Sequence, residues 1–395
     1  MNRIARLLEG RARFGLLAGA LMWVVWAVGS VLGPGNLDLN GQVIGTDHSA
    51  FHTAAVLLTE GRGDVLFQYP ELTEFQACQE ELVGKTGFLD PYRNPPFYAL
   101  LYLPTARLPY LGSYGVWAII GVVGLIGGLA LIRGRDIRQP LAWALSFYPV
   151  FAAVSFGQNT LLSFAAFGLV YRCLVTERRF LAGLSAGLLL YKPQLLFGLG
   201  VWWLLAVRRT WLCLLGLATA GVVLVGVSAV FVPAETKEWV RRMPEIVRYD
   251  AFDFFNLHNP RGFGALLTGN KSAGNWFGLA GLALTMWWLW HVQRQHGADV
   301  RIMFAAAVYA TLWGSPHTMT YEWALAVLPA MILWDARPNL RSLWTPLFAI
   351  AWVVLFVSTP LTKAQLALAG VAVQLSVPVL AWVGWRAEVA LRQRD

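Results

Sequence analysis

Apolar runs of roughly 15–22 residues recur along the whole chain, separated by short polar links that carry arginines. That pattern leaves few folds open. Inside a bilayer the backbone must satisfy its own hydrogen bonds, so a crossing run is a helix. Charge is sparse, at 13% of residues against about 25% in soluble domains, and 57% of the residues are hydrophobic. The expected fold is an all-α polytopic membrane protein in a lipid bilayer. The net charge of +9 does not point to nucleic acid. Its basic residues sit in short clusters between apolar runs, as cytoplasmic anchors do, and none forms a long basic patch. Cys78, Cys173 and Cys213 are scattered and give neither a disulfide framework nor a metal spacing.

Arg3, Arg6, Arg11 and Arg13 precede the first run, about 14–33, which places the N-terminus in the cytoplasm. The run lacks a small-residue cleavage site and is expected to stay as a helix. A first extracytoplasmic loop, 34–111, follows. Within it, 48–59 has the pattern of an amphipathic helix with Phe51, Ala55 and Leu58 on one face. The piece 60–90 reads as an exposed loop, and Pro95-Pro96 opens a short helix, 97–108, expected on the membrane surface. Spans are expected at about 112–132, 140–156 and 160–175, with Arg133, Arg135 and Arg138 on the inner side.

The stretch 180–207 is basic at both ends. It is too long for one span and short for two. Lys192-Pro193 divides it, because a midplane lysine costs roughly 2.5–3.5 kcal/mol and proline disfavours helix just before it. Two short helices with Lys192 at the outer turn are expected. A span at about 211–232 leads to a second extracytoplasmic loop, 233–275, whose part 234–250 is helical in pattern. Further spans fall at about 275–292, 299–313, 319–334, 342–358 and 364–385, and Arg386, Arg392 and Arg394 follow. The total is about twelve transmembrane helices in one integral membrane domain, 1–395, with both termini inside.

In this topology the polar breaks share the outer face. Asp47 stands just past the first span, after Gly45 and Thr46, where a carboxylate can act as a general base, remain a solvated loop residue, or cap the next helix along with Ser49. Gln158 and Asn159 occupy a tight turn and offer amides suited to sugar hydroxyls; Asn159 is equally a helix cap. Lys192, followed by Pro193 and Gln194, is costly between apolar helices without an anionic partner, for which phosphate is a natural choice. It can also snorkel to the interface. His258, Asn259 and Arg261 lie in the second loop. His317 follows Ser315-Pro316, with Tyr321 and Glu322 one turn on. Arg93 and Asn94 precede Pro95-Pro96. His48 and His52 are one helical turn apart, which is too little for a metal site, and no phosphate-cradling glycine loop appears. No cofactor is expected. Trp202-Trp203 and Trp287-Trp288 border a lipid groove or form interfacial belts.

Five motifs in order carry a family resemblance: Gly45-Thr46-Asp47 after the first span, then Pro95-Pro96, then Gly157-Gln158-Asn159. Ala182-Gly183 with Lys192-Pro193 comes next, and Ser315-Pro316-His317 with Tyr321 is last. Over about 45–335 the chain resembles glycosyltransferase family 87, the polyprenyl-phosphate-mannose-dependent α-mannosyltransferases of the GT-C superfamily. It departs from that pattern at His48, His52, Asn94 and His258-Asn259-Pro260. The resemblance implies a GT-C-type fold with extracytoplasmic surface helices, and a polyprenyl-phosphate-linked sugar as donor. The acceptor is a glycolipid or glycan hydroxyl, and transfer inverts the sugar on the outer face of a bacterial plasma membrane. It gives Asp47 the role of general base. It matches Lys192 to the lysine of the Lys-Pro turn and sets His317 near the donor phosphate. Read from the residues themselves, Arg261 joins these two at the phosphate, and His48, Arg93, Asn94, Gln158, Asn159, Gln194, His258, Asn259, Tyr321 and Glu322 are the expected substrate contacts. A transporter or flippase for a lipid-linked sugar is the rival reading. It would require related halves, or polar groups near the midplane, and the sequence has neither.

Overall fold

The computed structural model describes residues 3–392 except 86, 88, 135 and 250–252, with side chains from residue 13 onward. Arg135, Arg394 and the end of the 234–250 stretch lie outside the described residues, as do the side chains of Arg3, Arg6 and Arg11. Helix dominates, and two isolated bridges, Leu37–Val43 and Leu257–Met319, are the β pairing among the described residues.

Among the described residues four stretches are long and apolar enough to cross a membrane. They are Arg13–Leu32 within α1 (Arg3–Leu32), α5 (Tyr110–Arg133), α11 (Val207–Phe231) and Pro338–Ala369, most of which is α18 (Arg341–Ala369). Only 6–28% of their apolar windows is buried inside the protein. Apolar side chains turned outward at this density suit hydrocarbon rather than water. Shorter apolar helices pack among them: α8 (Thr160–Val175), α9 (Arg179–Ala186), α10 (Phe197–Leu205) and α16 (Val300–Gly314). α5 lies on α8 and α9 on α11. Each contact has glycines where the backbones meet, Gly128 with Gly168 and Gly183 with Gly216, because a Cβ there would run into the partner helix.

Several elements depart from the sequence expectation. The run 140–156 forms two helices, α6 (Arg138–Ser146) and α7 (Tyr148–Ser155), because Pro149 has no N–H to continue α6 and Phe147 is extended between them. The 180–207 region divides at residues 190–192, as Lys192-Pro193 led one to expect. The expected spans 342–358 and 364–385 are redrawn. α18 runs through Pro360 to Ala369, and the chain reverses at Gly370, whose φ is +71°. Lys363, between the two expected spans, therefore lies within α18, and α19 (Ser376–Arg392) follows.

The 60–90 stretch is not an exposed loop. It holds a 3-10 turn, Gly63–Phe67, and α3 (Thr73–Val83), and Leu66, Phe67, Tyr69 and Phe75 are fully buried. These residues pack with Phe51, Tyr92, Tyr98 and Tyr102 into an aromatic core separate from that of the long helices. α2 (His48–Thr59) runs through that core and is buried on nearly all sides rather than on one face. The expected 97–108 helix is two short pieces, α4 (Pro96–Leu100) and Leu103–Thr105. Trp202 and Trp203 are buried core residues, whereas Trp287 faces outward.

α12 (Pro233–Arg241), α13 (Met243–Arg248), α14 (Pro260–Thr268) and α15 (Lys271–His296) follow α11, and α17 (Val327–Ala336) follows α16. At the far end of the bundle from Asp47, Arg133 pairs with Asp335 at 2.9 Å and Arg337 with Asp299 at 3.2 Å. A cavity of about 1140 Å³ lies toward that end, among α1, α6, α17, α18 and α19, with almost entirely apolar walls.

Candidate active site

Two glycines create the site. Gly45 and Gly157 both take left-handed backbone, with φ of +69° each, and face one another across a gap with no room for side chains. A Cβ on Gly157 would meet His48 and the Gly45 backbone, and one on Gly45 would meet the Tyr114 ring. The close approach lets Gly45 N–H donate to the Ser155 carbonyl at 3.1 Å and Asp47 N–H to the Phe156 carbonyl at 2.8 Å. The turn after α1 is thereby stitched to the end of α7. Asp47 occupies the N-cap position of α2 but makes no capping bond. Its carboxylate turns instead toward the turn opposite.

There Gln158 Nε2 donates to Asp47 Oδ2 at 2.7 Å and to the Tyr321 hydroxyl at 3.1 Å. Gln158 Oε1 accepts from Lys192 Nζ at 2.8 Å. Lys192 also reaches Glu322 Oε1 at 3.4 Å and stands 5.2 Å over the Tyr321 ring. Glu322 is 1% exposed, and its second oxygen accepts the Met319 N–H at 2.6 Å, so it both pairs Lys192 and caps the 3-10 helix Thr320–Ala326. Asp47, Gln158, Lys192, Tyr321 and Glu322, drawn from four separate stretches of sequence, form one continuous polar chain.

Burial pushes the Asp47 carboxyl up to about 7, and the neighbouring Asp90 adds to the rise. The Gln158 hydrogen bond and the charges of Lys192 and Arg93 act the other way. Part of the Asp47 surface stays open, so its proton can exchange with a bound hydroxyl. On the cationic side, burial lowers His317 to about 3, and Arg93, Lys192 and Arg261 each add to the lowering. Three cations from distant parts of the chain thus bear on one imidazole. An anionic group among them would relieve that repulsion.

Arg93 pairs with Asp90 at 2.6 Å and lies 5.1 Å over the Tyr249 ring. Asp90 and Tyr249 went unnoticed in the sequence. The only signal for Asp90 was its place three residues before Arg93 in a stretch taken for an exposed loop. Arg261 donates to Asn275 at 2.9 Å and lies 5.6 Å over the Phe254 ring.

The remaining sequence candidates lie around this chain rather than on it. Asn94 donates to the Tyr191 carbonyl at 2.9 Å, next to Lys192. Asn159 makes no capping bond and sits beside the Tyr98 and Tyr102 hydroxyls. Gln194 is half-buried in the 3-10 turn Pro193–Leu196. His48 points away from Asp47. It is fully buried, hydrogen-bonds Ser113 at 3.0 Å, and is ringed by Tyr102, Tyr110, Tyr114 and His52. His258 is fully buried, with Ser376 at 2.7 Å on Nδ1 and Thr359 at 3.0 Å on Nε2. Asn259 caps α14 by accepting the Gly262 N–H at 2.8 Å, and it donates to the Ser315 carbonyl at 3.0 Å. His258 and Asn259 thus hold the turn that carries His317.

The family model of glycosyltransferase family 87 matches residues 92–316, more than half of the 395 residues. The chain belongs to glycosyltransferase family 87. The matched stretch contains Arg93, Gln158, Lys192 and Arg261; Asp47 lies before it, and His317 directly after it. No curated protein and no solved structure matches the chain. Family membership and the outward-facing apolar helices together describe a glycosyltransferase of the membrane, with a sugar donor and an acceptor.

Proposed function

We propose that this family 87 chain moves a sugar, mannose in the first instance, from a polyprenyl-phosphate donor to a hydroxyl of a glycolipid or glycan. Asp47 takes the proton of the acceptor hydroxyl. The acceptor oxygen bonds to the anomeric carbon as the bond from that carbon to the phosphate oxygen breaks. Polyprenyl phosphate leaves with the electron pair, and the configuration inverts. Lys192, His317 and Arg261, joined by Arg93, stabilise the charge that grows on the phosphate.

One observation carries this reading. A half-buried carboxylate, lifted to about 7, lies at the end of a hydrogen-bonded chain that runs through Gln158 to the Lys192 ammonium. A base that titrates near neutrality beside a cationic anchor is what displacement of a phosphate leaving group from an anomeric carbon needs. We place this site on the extracytoplasmic face of a bacterial plasma membrane, with both termini in the cytoplasm. We count about twelve crossings of GT-C type, the shorter apolar helices entering beside the four long ones.

The test uses purified protein, labelled polyprenyl-phosphate-mannose and a crude glycolipid extract. Label is expected to pass to a lipid or glycan product in wild type. In Asp47→Asn the donor still binds and transfer is lost. Transfer from other lipid-linked sugars alone would move the assignment away from mannose. Passage of intact donor across vesicles without transfer would favour a flippase.

A further inference from the structure

The residue between the base and the cation invites a second question. An amide has two faces of opposite character, an NH₂ that only donates and a carbonyl that only accepts. Gln158 uses both. Its carbonyl accepts from Lys192 at 2.8 Å, and its NH₂ donates to Asp47 at 2.7 Å and Tyr321 at 3.1 Å. The ammonium fixes this orientation. Turned over, the amide would set its NH₂ against the Lys192 ammonium and its carbonyl against the Asp47 carboxylate. Lys192 is itself held, by Glu322 at 3.4 Å and by the Tyr321 ring. Gly157, in left-handed backbone, brings the turn that bears Gln158 against the turn that bears Asp47. The amide therefore rests on a scaffold at each of its polar atoms. Asp47 Oδ2 is taken by Gln158, whereas Oδ1 accepts no hydrogen bond among the described residues.

We propose that Gln158 is the positioning residue of the base: it holds Asp47 with Oδ1 free to receive the acceptor proton, and it transmits the Lys192 charge to the carboxylate. The proposal rests on Asp47 acting as base and adds what sets its geometry and its proton affinity. Other groups face Asp47 too. Asp90 opposes its ionisation, Arg93 favours it, and the Tyr110 and Tyr321 hydroxyls are close by. Of these groups Gln158 alone is shown bonded to both Asp47 and Lys192. Loss of a donor to an ionised carboxylate raises its pKa, so removing the amide should make the base harder to ionise.

Gln158→Met keeps the length of the side chain and removes all three hydrogen bonds. We expect transfer at pH 7 to fall about tenfold or more in kcat, with the donor KM within about threefold. The pH midpoint of kcat should move up by roughly one unit, so that part of the loss returns above pH 8. Gln158→Glu, carrying a second negative charge toward Asp47, should move the midpoint further the same way. Infrared titration of the Asp47 carboxyl band, assigned by its loss in Asp47→Asn, follows the same midpoint without turnover. A uniform fall in activity with both midpoints unmoved and a lower melting temperature would make Gln158 a structural residue and overturn the proposal. If Asp47→Asn keeps full transfer, the base assignment falls; the infrared midpoint in Gln158→Met then still decides whether the amide governs Asp47.

Discussion

Two buried polar networks lie close together in this protein, and they are built on opposite principles. One joins His258 to Ser376, Thr359 and Ser358, with the Trp323 indole donating to the His258 carbonyl at 3.1 Å. Every member is neutral, both imidazole nitrogens have partners, and burial lowers His258 to about 3, which keeps it neutral. The other joins Asp47, Gln158, Lys192, Tyr321 and Glu322. It holds ionisable groups of both signs and ends at a carboxylate oxygen with no hydrogen bond among the described residues. A closed neutral network fixes backbone, here the middle of α18 and the start of α19 against His258, whose own N–H donates to the Thr318 carbonyl at 3.0 Å in the turn that carries His317. An open charged one costs stability and is kept where chemistry needs it. The contrast separates residues that sequence reasoning had placed together as substrate contacts.

The largest effect should come from the open end. Asp47→Asn keeps shape and removes the base, and we expect transfer to fall about 10²–10⁴-fold. Thermal unfolding in detergent should stay close to wild type, because Asn can still accept the Gln158 bond. If His258→Ala lowers turnover per folded molecule as much as Asp47→Asn does, the division between the two networks fails.

Next comes Lys192. Lys192→Met leaves Glu322, 1% exposed, without its cation, and breaking a buried pair this way costs about 3–5 kcal/mol. The melting temperature should drop by several degrees and the donor KM should rise. Adding Glu322→Gln to that variant should restore most of the stability and none of the donor affinity. Stability measured on the two single variants and the double variant checks this. A double variant no more stable than Lys192→Met would show that the pair does not share one interaction.

The closed network should answer the other way. His258→Ala leaves the Ser376 and Thr359 hydroxyls short of a partner, at about 1–3 kcal/mol. Its melting temperature should fall, while the donor KM measured on the folded fraction should change little. A raised KM at full stability would return His258 to the substrate site.

How far the sequence could reveal this division follows from the physics of each element. Apolar runs announce helices, so α5 and α11, which turn apolar side chains outward, and the buried α16 all appear close to the expected places. Lys192 was legible because a charge between apolar runs has few tolerable positions. Burial of the 60–90 stretch was not legible. Its carboxylates suggest solvent, whereas Leu66 and Phe67 from a 3-10 turn and Phe75 from the short helix α3 fill an aromatic core without a common period. The meeting of Gly45 with Gly157 was likewise hidden. Each glycine explains itself only when the other is in place. His258 and His317 both stand at polar breaks in the sequence, and the closed hydrogen bonding of His258 is visible only in the tertiary structure.

A pH dependence separates the two networks by what it moves, turnover for the open one and stability for the closed one. Turnover needs ionised Asp47, so kcat should climb as pH rises through about 7. Stability follows the histidines. His258 and His48 are lowered to about 3 in the folded chain and His52 to about 4, against 6.5 for an ordinary histidine. Unfolding lets each take up a proton at mildly acid pH. The stability they contribute is therefore whole above pH 6.5 and is lost as pH falls toward 3–4, at up to ~1.4 kcal/mol per pH unit for each histidine. Melting temperatures taken between pH 7.5 and 5 should fall with pH. In His258→Ala that slope should flatten by one histidine's share, while the midpoint of kcat stays at the wild-type value. An unchanged slope in that variant would mean that His258 takes up its proton in the folded state, and the closed network would then be no less titratable than the open one.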